Sequence, residues 1–150
     1  MAAIIVPYPE TGETITIKKD DYNIILKHCR EGLPEESCGL IAGRKEGNNN
    51  IIEKVYLLTN VDHSNEHFTM DPKEQLAAVK DARSNNLTML GNFHSHPESP
   101  SRPSEEDKRL AYDTGAVYMI LSLMEADEPV LRGFHVSKDK EVTVHALEII

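Results

Sequence analysis

The sequence predicts one α+β domain, residues 1–150, in which helices flank a single mixed, mostly antiparallel, curved β-sheet. Two observations favour this class. Short strand-like runs of apolar residues recur along the chain, and turn-like segments typical of hairpins join most of them. Helical patterns with capping residues stand between some of these runs. A chain of 150 residues is long enough to bury the core of one such domain.

The apolar pattern predicts the strands in chain order. The run Ala116–Leu123 is the most apolar in the chain, which indicates a central strand that is buried on both faces. The sequence Gly47-Asn48-Asn49-Asn50 predicts the turn of a hairpin. The other predicted strands are Ile4–Val6, Thr14–Ile17, Cys38–Gly43, Ile51–Leu58, Leu87–Phe93, Val130–Val136 and Val142–Leu147.

Three helices are predicted from capping residues and helical spacing. The first begins at Asp20 or Asp21 and ends at Gly32, with Cys29 on its apolar face. A cysteine in that position is expected to be buried rather than reactive. The second and third helices are capped by Asp71, which precedes Pro72, and by Ser104, and they run to Ser84 and Asp113.

Charge and composition argue against several function classes. The formal net charge of -9 is unfavourable for a nucleic-acid-binding protein, which needs a basic face to neutralise phosphates. No segment approaches the ~20 apolar residues of a membrane-spanning helix, and the first residues lack the pattern of a signal peptide. Two cysteines without a CxxC pair fit a reducing cytosol. We therefore expect a cytoplasmic protein that acts on a small molecule or on another protein.

His94 and His96 follow a predicted strand and are two positions apart, so their side chains are expected on the same face. Asp107 lies in the first turn of the third predicted helix and can return to that face. Two imidazoles and one carboxylate are typical of a catalytic zinc site, in which the fourth position is left for water. Prolines at every third position stiffen the intervening loop, which reduces the entropy lost in holding the third ligand.

Ser104 and Asp107 also have the spacing of a capping box at a helix start. The two interpretations are compatible, because a carboxylate that caps a helix can also bind a metal. The Ser104 hydroxyl could in addition donate to a developing oxyanion. A hydrolytic site further needs a base, and from the residues alone either Glu35 or Glu36 is a candidate or simply a solvated charge.

Taken together, these motifs resemble the JAMM (MPN-plus) metalloprotease family, whose architecture is similar to that of cytidine deaminases. The motifs are Pro34-Glu35-Glu36-Ser37-Cys38-Gly39-Leu40, His94-Ser95-His96-Pro97 and, six residues later, Ser104-x-x-Asp107. Further similarity lies at Asn60, Phe68–Pro72 and Ile120–Leu123, so the resemblance covers roughly residues 15 to 147.

The resemblance implies one catalytic Zn²⁺ bound by His94, His96 and Asp107, with Glu36 as the general acid/base and Ser104 stabilising the tetrahedral intermediate. It implies a peptidase or isopeptidase that cleaves after the C-terminal Gly-Gly of a ubiquitin-like or sulfur-carrier protein. The alternative is a non-catalytic MPN-type module that binds such partners. The sequence does not separate peptide from isopeptide cleavage, or a monomer from a homodimer.

Two other metal patterns fit less well. The segment His63–His67 matches the inverted zincin motif His-x-x-Glu-His, but that motif needs a helix, and the surrounding residues favour turns. Zinc nucleobase deaminases use His-x-Glu with Pro-Cys-x-x-Cys, and neither pattern occurs in the chain.

Overall fold

The structure is a computed structural model that describes residues 8–150, so the predicted strand Ile4–Val6 lies outside the described residues. The described part of the chain contains seven strands and three helices. In chain order they are β1 (Glu10–Ile17), α1 (Lys19–Gly32), β2 (Cys38–Glu46), β3 (Asn49–Leu58), α2 (Pro72–Ser84), β4 (Thr88–His96), α3 (Glu105–Arg109), β5 (Val117–Ser122), β6 (Val130–Val136) and β7 (Val142–Ile149).

The seven described strands close into a barrel in the order β1-β3-β2-β4-β5-β6-β7. The prediction of a curved sheet flanked by helices is therefore wrong, because the sheet is closed. Closure depends on β1, which pairs in parallel with both β3 and β7. Parallel strands need no connecting hairpin and can be distant in the chain, so no turn pattern in the sequence predicts their pairing.

Residues from β1 to β6 and from α1 form the main buried cluster. Ile25 and Cys29 are fully buried on the inner side of α1, as the helical spacing predicts. Burial raises the pKa of the Cys29 thiol to about 12, so it stays protonated and unreactive near neutral pH. The prediction of a structural cysteine is confirmed.

Glycine permits a close approach of β2 to its neighbours near the start of that strand. A Cβ on Gly39 would lie 2.2 Å from both the ring of Phe93 and the carbonyl oxygen of Tyr56. No L side chain fits between these groups without moving the backbone. The close approach brings the segment before β2 next to the end of β4, where the two histidines lie.

The helix boundaries differ from the predictions at two places. Neither Asp20 nor Asp21 caps α1; both lie in its first turn, where a carboxylate still interacts favourably with the helix dipole. α3 ends at Arg109 rather than near Asp113. Asp71 caps α2 as predicted, and its carboxylate accepts two backbone N–H groups.

The residues after α3 are held in place from β5 and β6 instead of continuing the helix. The Tyr118 hydroxyl donates to the carbonyl oxygen of Asp113 at 3.0 Å, and His135 Nε2 donates to the carbonyl oxygen of Thr114 at 2.7 Å. These bonds hold the connection, which contains a turn at Thr114 and Gly115, against β5 and β6. Among residues 8–150, no helix is long and apolar enough to span a membrane.

Candidate metal centre and active site

His94 and His96 lie at the end of β4, and both side chains are buried and turned toward Asp107. Their Nε2 atoms are 3.1 Å apart. Asp107 Oδ2 lies 3.2 Å from Nε2 of His94 and 3.0 Å from Nε2 of His96. The structure thus brings together the three residues that the sequence singled out as metal ligands.

The geometry and chemistry of this cluster fit a small divalent cation. Ligands on a tetrahedral ion with bonds of about 2.0–2.1 Å are roughly 3.3 Å apart, close to the observed separations. His96 Nδ1 lies 2.8 Å from the carbonyl oxygen of Pro100. A carbonyl only accepts, so Nδ1 carries a proton, and Nε2 would present its lone pair to a bound ion once it has lost its own proton. The Phe68 ring stacks on His94, with ring centroids 4.7 Å apart, and fixes that imidazole from outside.

The start of α3 places Asp107. Ser104 is the N-cap: its hydroxyl oxygen accepts the Asp107 N–H at 3.0 Å, and its own N–H donates to Asp107 Oδ2 at 2.9 Å. The capping box is therefore present, and its carboxylate is the one that faces the imidazoles. Burial opposes ionisation, but hydrogen bonds from His94 and His96 hold the pKa of Asp107 well below its usual range.

Two serines hold the proline loop between the histidines and α3. Ser101 Oγ donates to the carbonyl oxygen of Ile120 at 2.7 Å, and Ser122 Oγ donates to that of Ser99 at 2.6 Å. These bonds tie the loop to β5, which pairs with β4. Sequence reasoning found the prolines but not the serines, because an isolated serine carries no pattern that predicts its partner.

Glu36 lies two residues before β2, and the pairing of β2 with β4 sets Cys38 opposite His94. Ser95 joins the two segments: its N–H donates to the carbonyl oxygen of Ser37 at 2.9 Å, and its Oγ accepts the Ser37 N–H at 2.8 Å. The Glu36 side chain is 5% exposed, and its Oε1 has no hydrogen-bond partner.

The two neighbouring glutamates, Glu35 and Glu36, therefore lie in different environments. Glu35 lies at the surface, where Oε1 is 2.9 Å from Nδ1 of His63. Burial raises the pKa of Glu36 to about 8; His96 opposes the shift, and Asp107 adds to it. A buried carboxyl group whose pKa is near neutral is suited to accept and return a proton, and Glu35 is not.

The raised pKa of Glu36 gives a stability prediction for the metal-free protein. The pKa of Glu36 rises from its ordinary value of 4.5 to about 8 in the folded protein. Protonated Glu36 therefore contributes to the free energy of unfolding in full below pH 4.5, and this contribution is lost as the pH rises through 8. Metal-free Glu36→Gln should therefore be more stable than wild type at about pH 8, by about 2–4 kcal/mol. Urea denaturation at several pH values measures this. Glu35→Gln, the exposed neighbour, is expected to change stability little, and a Glu36→Gln advantage that grows toward acid pH would contradict the assignment.

The segment 60–70 forms one wall of the site without being a helix. It is irregular, as predicted, and an isolated bridge joins Asn60 to Met70. The two histidines of the His-x-x-Glu-His pattern face different partners: His67 Nδ1 lies 3.1 Å from Asp62, and His63 Nδ1 lies 2.9 Å from Glu35. The helix that the inverted zincin motif needs is absent from this described segment.

A groove with a cavity volume of about 450 Å³ is lined in part by His94 and Asp107. Its walls are mainly apolar and come from segment 60–70, α3 with the connection that follows it, and the barrel. The residues that dominate it are Phe68, Met70, Leu110, Tyr112, Tyr118 and Ile120. Tyr112 is 79% exposed at the outer lip. Two of the three clustered side chains therefore lie beside a mainly apolar groove.

A His-His-Asp cluster that could hold a metal ion, with a buried glutamate close by, is the arrangement of side chains typical of hydrolytic metal sites. The chain belongs to the family described as prokaryotic homologs of the JAB domain, whose model matches residues 18–134. The prediction that the chain is a JAMM-type peptidase is therefore confirmed.

Individual proteins are similar over most of the chain. The chain is 27% identical over 140 residues to the CysO-cysteine peptidase of Mycobacterium tuberculosis, and the aligned region covers 93% of this chain and 94% of the relative. It is 31% identical over 117 residues to the desampylase of Haloferax volcanii, with 75% of this chain and 83% of the relative covered. The solution structure of a protein from Desulfitobacterium hafniense has a TM-score of 0.84 and 50% identity, and covers 91% of this chain and 92% of that chain.

Proposed function

We propose that this protein is a zinc-dependent peptidase or isopeptidase that cleaves after the C-terminal Gly-Gly of a ubiquitin-like or sulfur-carrier protein. The observation that carries the proposal is the convergence of His94, His96 and Asp107 beside the buried Glu36. The two named relatives, a CysO-cysteine peptidase and a desampylase, support a small protein carrier or its conjugate as the substrate.

His94, His96 and Asp107 would hold the metal. Bound there, zinc supplies Lewis-acid chemistry that lowers the pKa of water and polarises the scissile carbonyl. Glu36 accepts the proton of the attacking water and delivers it to the leaving nitrogen, which a buried carboxyl with a pKa near neutral is suited to do. The Ser104 oxygen already accepts the Asp107 N–H, so its hydroxyl proton is available to donate to the oxyanion of the tetrahedral intermediate.

The groove supports an extended tail as the bound part of the substrate. Two glycines at the scissile end bring no side chain near the buried histidines. The residues that precede them occupy the apolar part of the groove between Phe68 and Leu110. A tail of this kind is what a carrier protein presents, and a folded protein surface does not enter a groove of this size.

The test is cleavage of a carrier whose sequence continues beyond Gly-Gly. Zinc-loaded protein should remove the extension, and mass spectrometry of the carrier should record the loss. A chelator should stop the reaction and added zinc should restore it. A carrier with alanines in place of the glycines is the matched control substrate. A carrier with a lysine-linked conjugate separates isopeptide from peptide cleavage.

The alternative function is a binding module without turnover. It predicts that the carrier binds and stays intact while the protein holds one zinc per chain. That result, with both carriers, would contradict the proposed peptidase.

A further inference from the structure

We propose that Asn60 is a positioning residue, one that fixes Glu36 relative to the metal ligands. The inference rests on the proposed function, because Glu36 is assigned there as the general acid/base. Asn60 itself is 7% exposed and follows β3, which pairs with the edge of β2 opposite to β4. It touches no metal ligand through a hydrogen bond, so its effect on the reaction would pass through the residues that it holds.

The Asn60 amide makes four hydrogen bonds, which use both of its polar atoms. Nδ2 donates to the carbonyl oxygens of Glu36 at 3.0 Å and His67 at 3.1 Å. Oδ1 accepts the N–H groups of Asp62 at 3.0 Å and Thr69 at 3.1 Å. One buried side chain therefore connects the segment that carries Glu36 to both halves of segment 60–70.

The two sides of that connection both belong to the site. On one side, the Glu36 N–H donates to the carbonyl oxygen of Ser64 at 2.7 Å, so segment 60–70 holds both backbone polar groups of Glu36. On the other side, the residue between His67 and Thr69 is Phe68, whose ring stacks on His94. Asn60 thus fixes the backbone of the base and the side chain that packs on a metal ligand.

The carboxylate of Glu36 depends on this support. Its Oε1 has no hydrogen-bond partner among the described residues, so that oxygen is not held through a side-chain contact. The backbone from which this side chain extends is held by Ser95 through Ser37 and by Asn60 through the Glu36 carbonyl. Displacement of a catalytic base by about 1 Å can cost 100-fold in rate.

Asn60→Asp tests the inference with little change in shape. The aspartate keeps the acceptor for Asp62 and Thr69 but replaces the donor with an oxygen that faces two carbonyls. We expect kcat on the tail-extended carrier to fall by about 10–100-fold. KM should change less than kcat, because Asn60 itself does not line the groove. Zinc content should remain one per chain, and amide hydrogen exchange in residues 34–38 should be faster than in wild type.

Asn50→Asp is the matched control. Asn50 is 4% exposed, and its Nδ2 also donates to a backbone carbonyl, that of Thr14 at 3.2 Å, at the other end of β3. Asn50→Asp should lose stability at least as much, since Nδ2 also donates to Glu13 Oε1 at 3.1 Å, and should keep wild-type kcat and wild-type exchange in residues 34–38. The milder Asn60→Ser serves the same measurements if Asn60→Asp does not fold.

The outcomes separate this inference from the proposed function. Wild-type kcat in Asn60→Asp, or a loss equal to that of Asn50→Asp, overturns the positioning role while the peptidase stands. A wild-type protein that never cleaves a carrier overturns the proposed function. Hydrogen exchange then decides alone, and unchanged protection of residues 34–38 in Asn60→Asp would show that Asn60 does not hold Glu36.

Discussion

Replacing Glu36 by glutamine reduces turnover of a tail-extended carrier by at least about 1,000-fold, while the protein still binds one zinc. Glutamine has the size of glutamate and fits the same buried site, but it neither accepts a proton from water nor returns it to the leaving nitrogen. The metal ligands are unaffected, since none of them is hydrogen-bonded to Glu36 in the described structure. Single-turnover kinetics with measured zinc content give the two quantities.

Glu35→Gln is the control for this experiment. The two glutamates are adjacent in sequence, but Glu35 lies at the surface and pairs with His63. Its replacement should change kcat by less than about twofold. Equal cleavage by Glu36→Gln and wild type would show that the base has been assigned to the wrong residue.

Replacing Asp107 by alanine weakens zinc binding by at least about 100-fold and abolishes turnover. The change removes the only carboxylate of the cluster and leaves two buried imidazoles with one ligand fewer. It also removes half of the capping box of α3. Zinc per chain after dialysis and the Kd from a calorimetric titration with zinc measure the loss directly, without reference to a substrate.

The loss of a helix cap must be separated from the loss of a ligand. Asp71→Ala provides this, because Asp71 caps α2 with its side chain and does not belong to the metal cluster. It should lower stability by about 1 kcal/mol and bind zinc as wild type does. Full zinc occupancy in Asp107→Ala would remove that residue from the ligand set.

Much of the candidate site could be predicted because its residues lie in short segments with recognisable local patterns. His94 and His96 lie on the same face because side chains alternate along a strand. Asp107 reaches that face from the first turn of a helix, which the capping pattern predicts. Local rules of this kind depend on a few neighbouring residues. The choice between Glu35 and Glu36 does not, because it depends on which of the two is buried by β4 and segment 60–70; only the family resemblance singled out Glu36.

The closure of the barrel and the role of Asn60 could not be predicted for a related reason. β1 pairs with β3 and β7 without any hairpin, and the alternation of its residues is the same in an open sheet. The four partners of the Asn60 amide are backbone groups, which every residue possesses. Neither feature changes the amino-acid pattern, so both require the three-dimensional arrangement.

The capping box of α3 has a consequence for how long a metal ion stays bound. The atom that faces both imidazoles, Asp107 Oδ2, also accepts the N–H of Ser104, so it leaves the cluster when the first helical turn opens. α3 has five residues, and none of them is buried. So short a helix has little stability of its own, and local opening is much faster than unfolding of the barrel. We therefore expect the residence time of the ion to follow the opening rate of one helical turn, with metal exchange occurring in an otherwise intact protein.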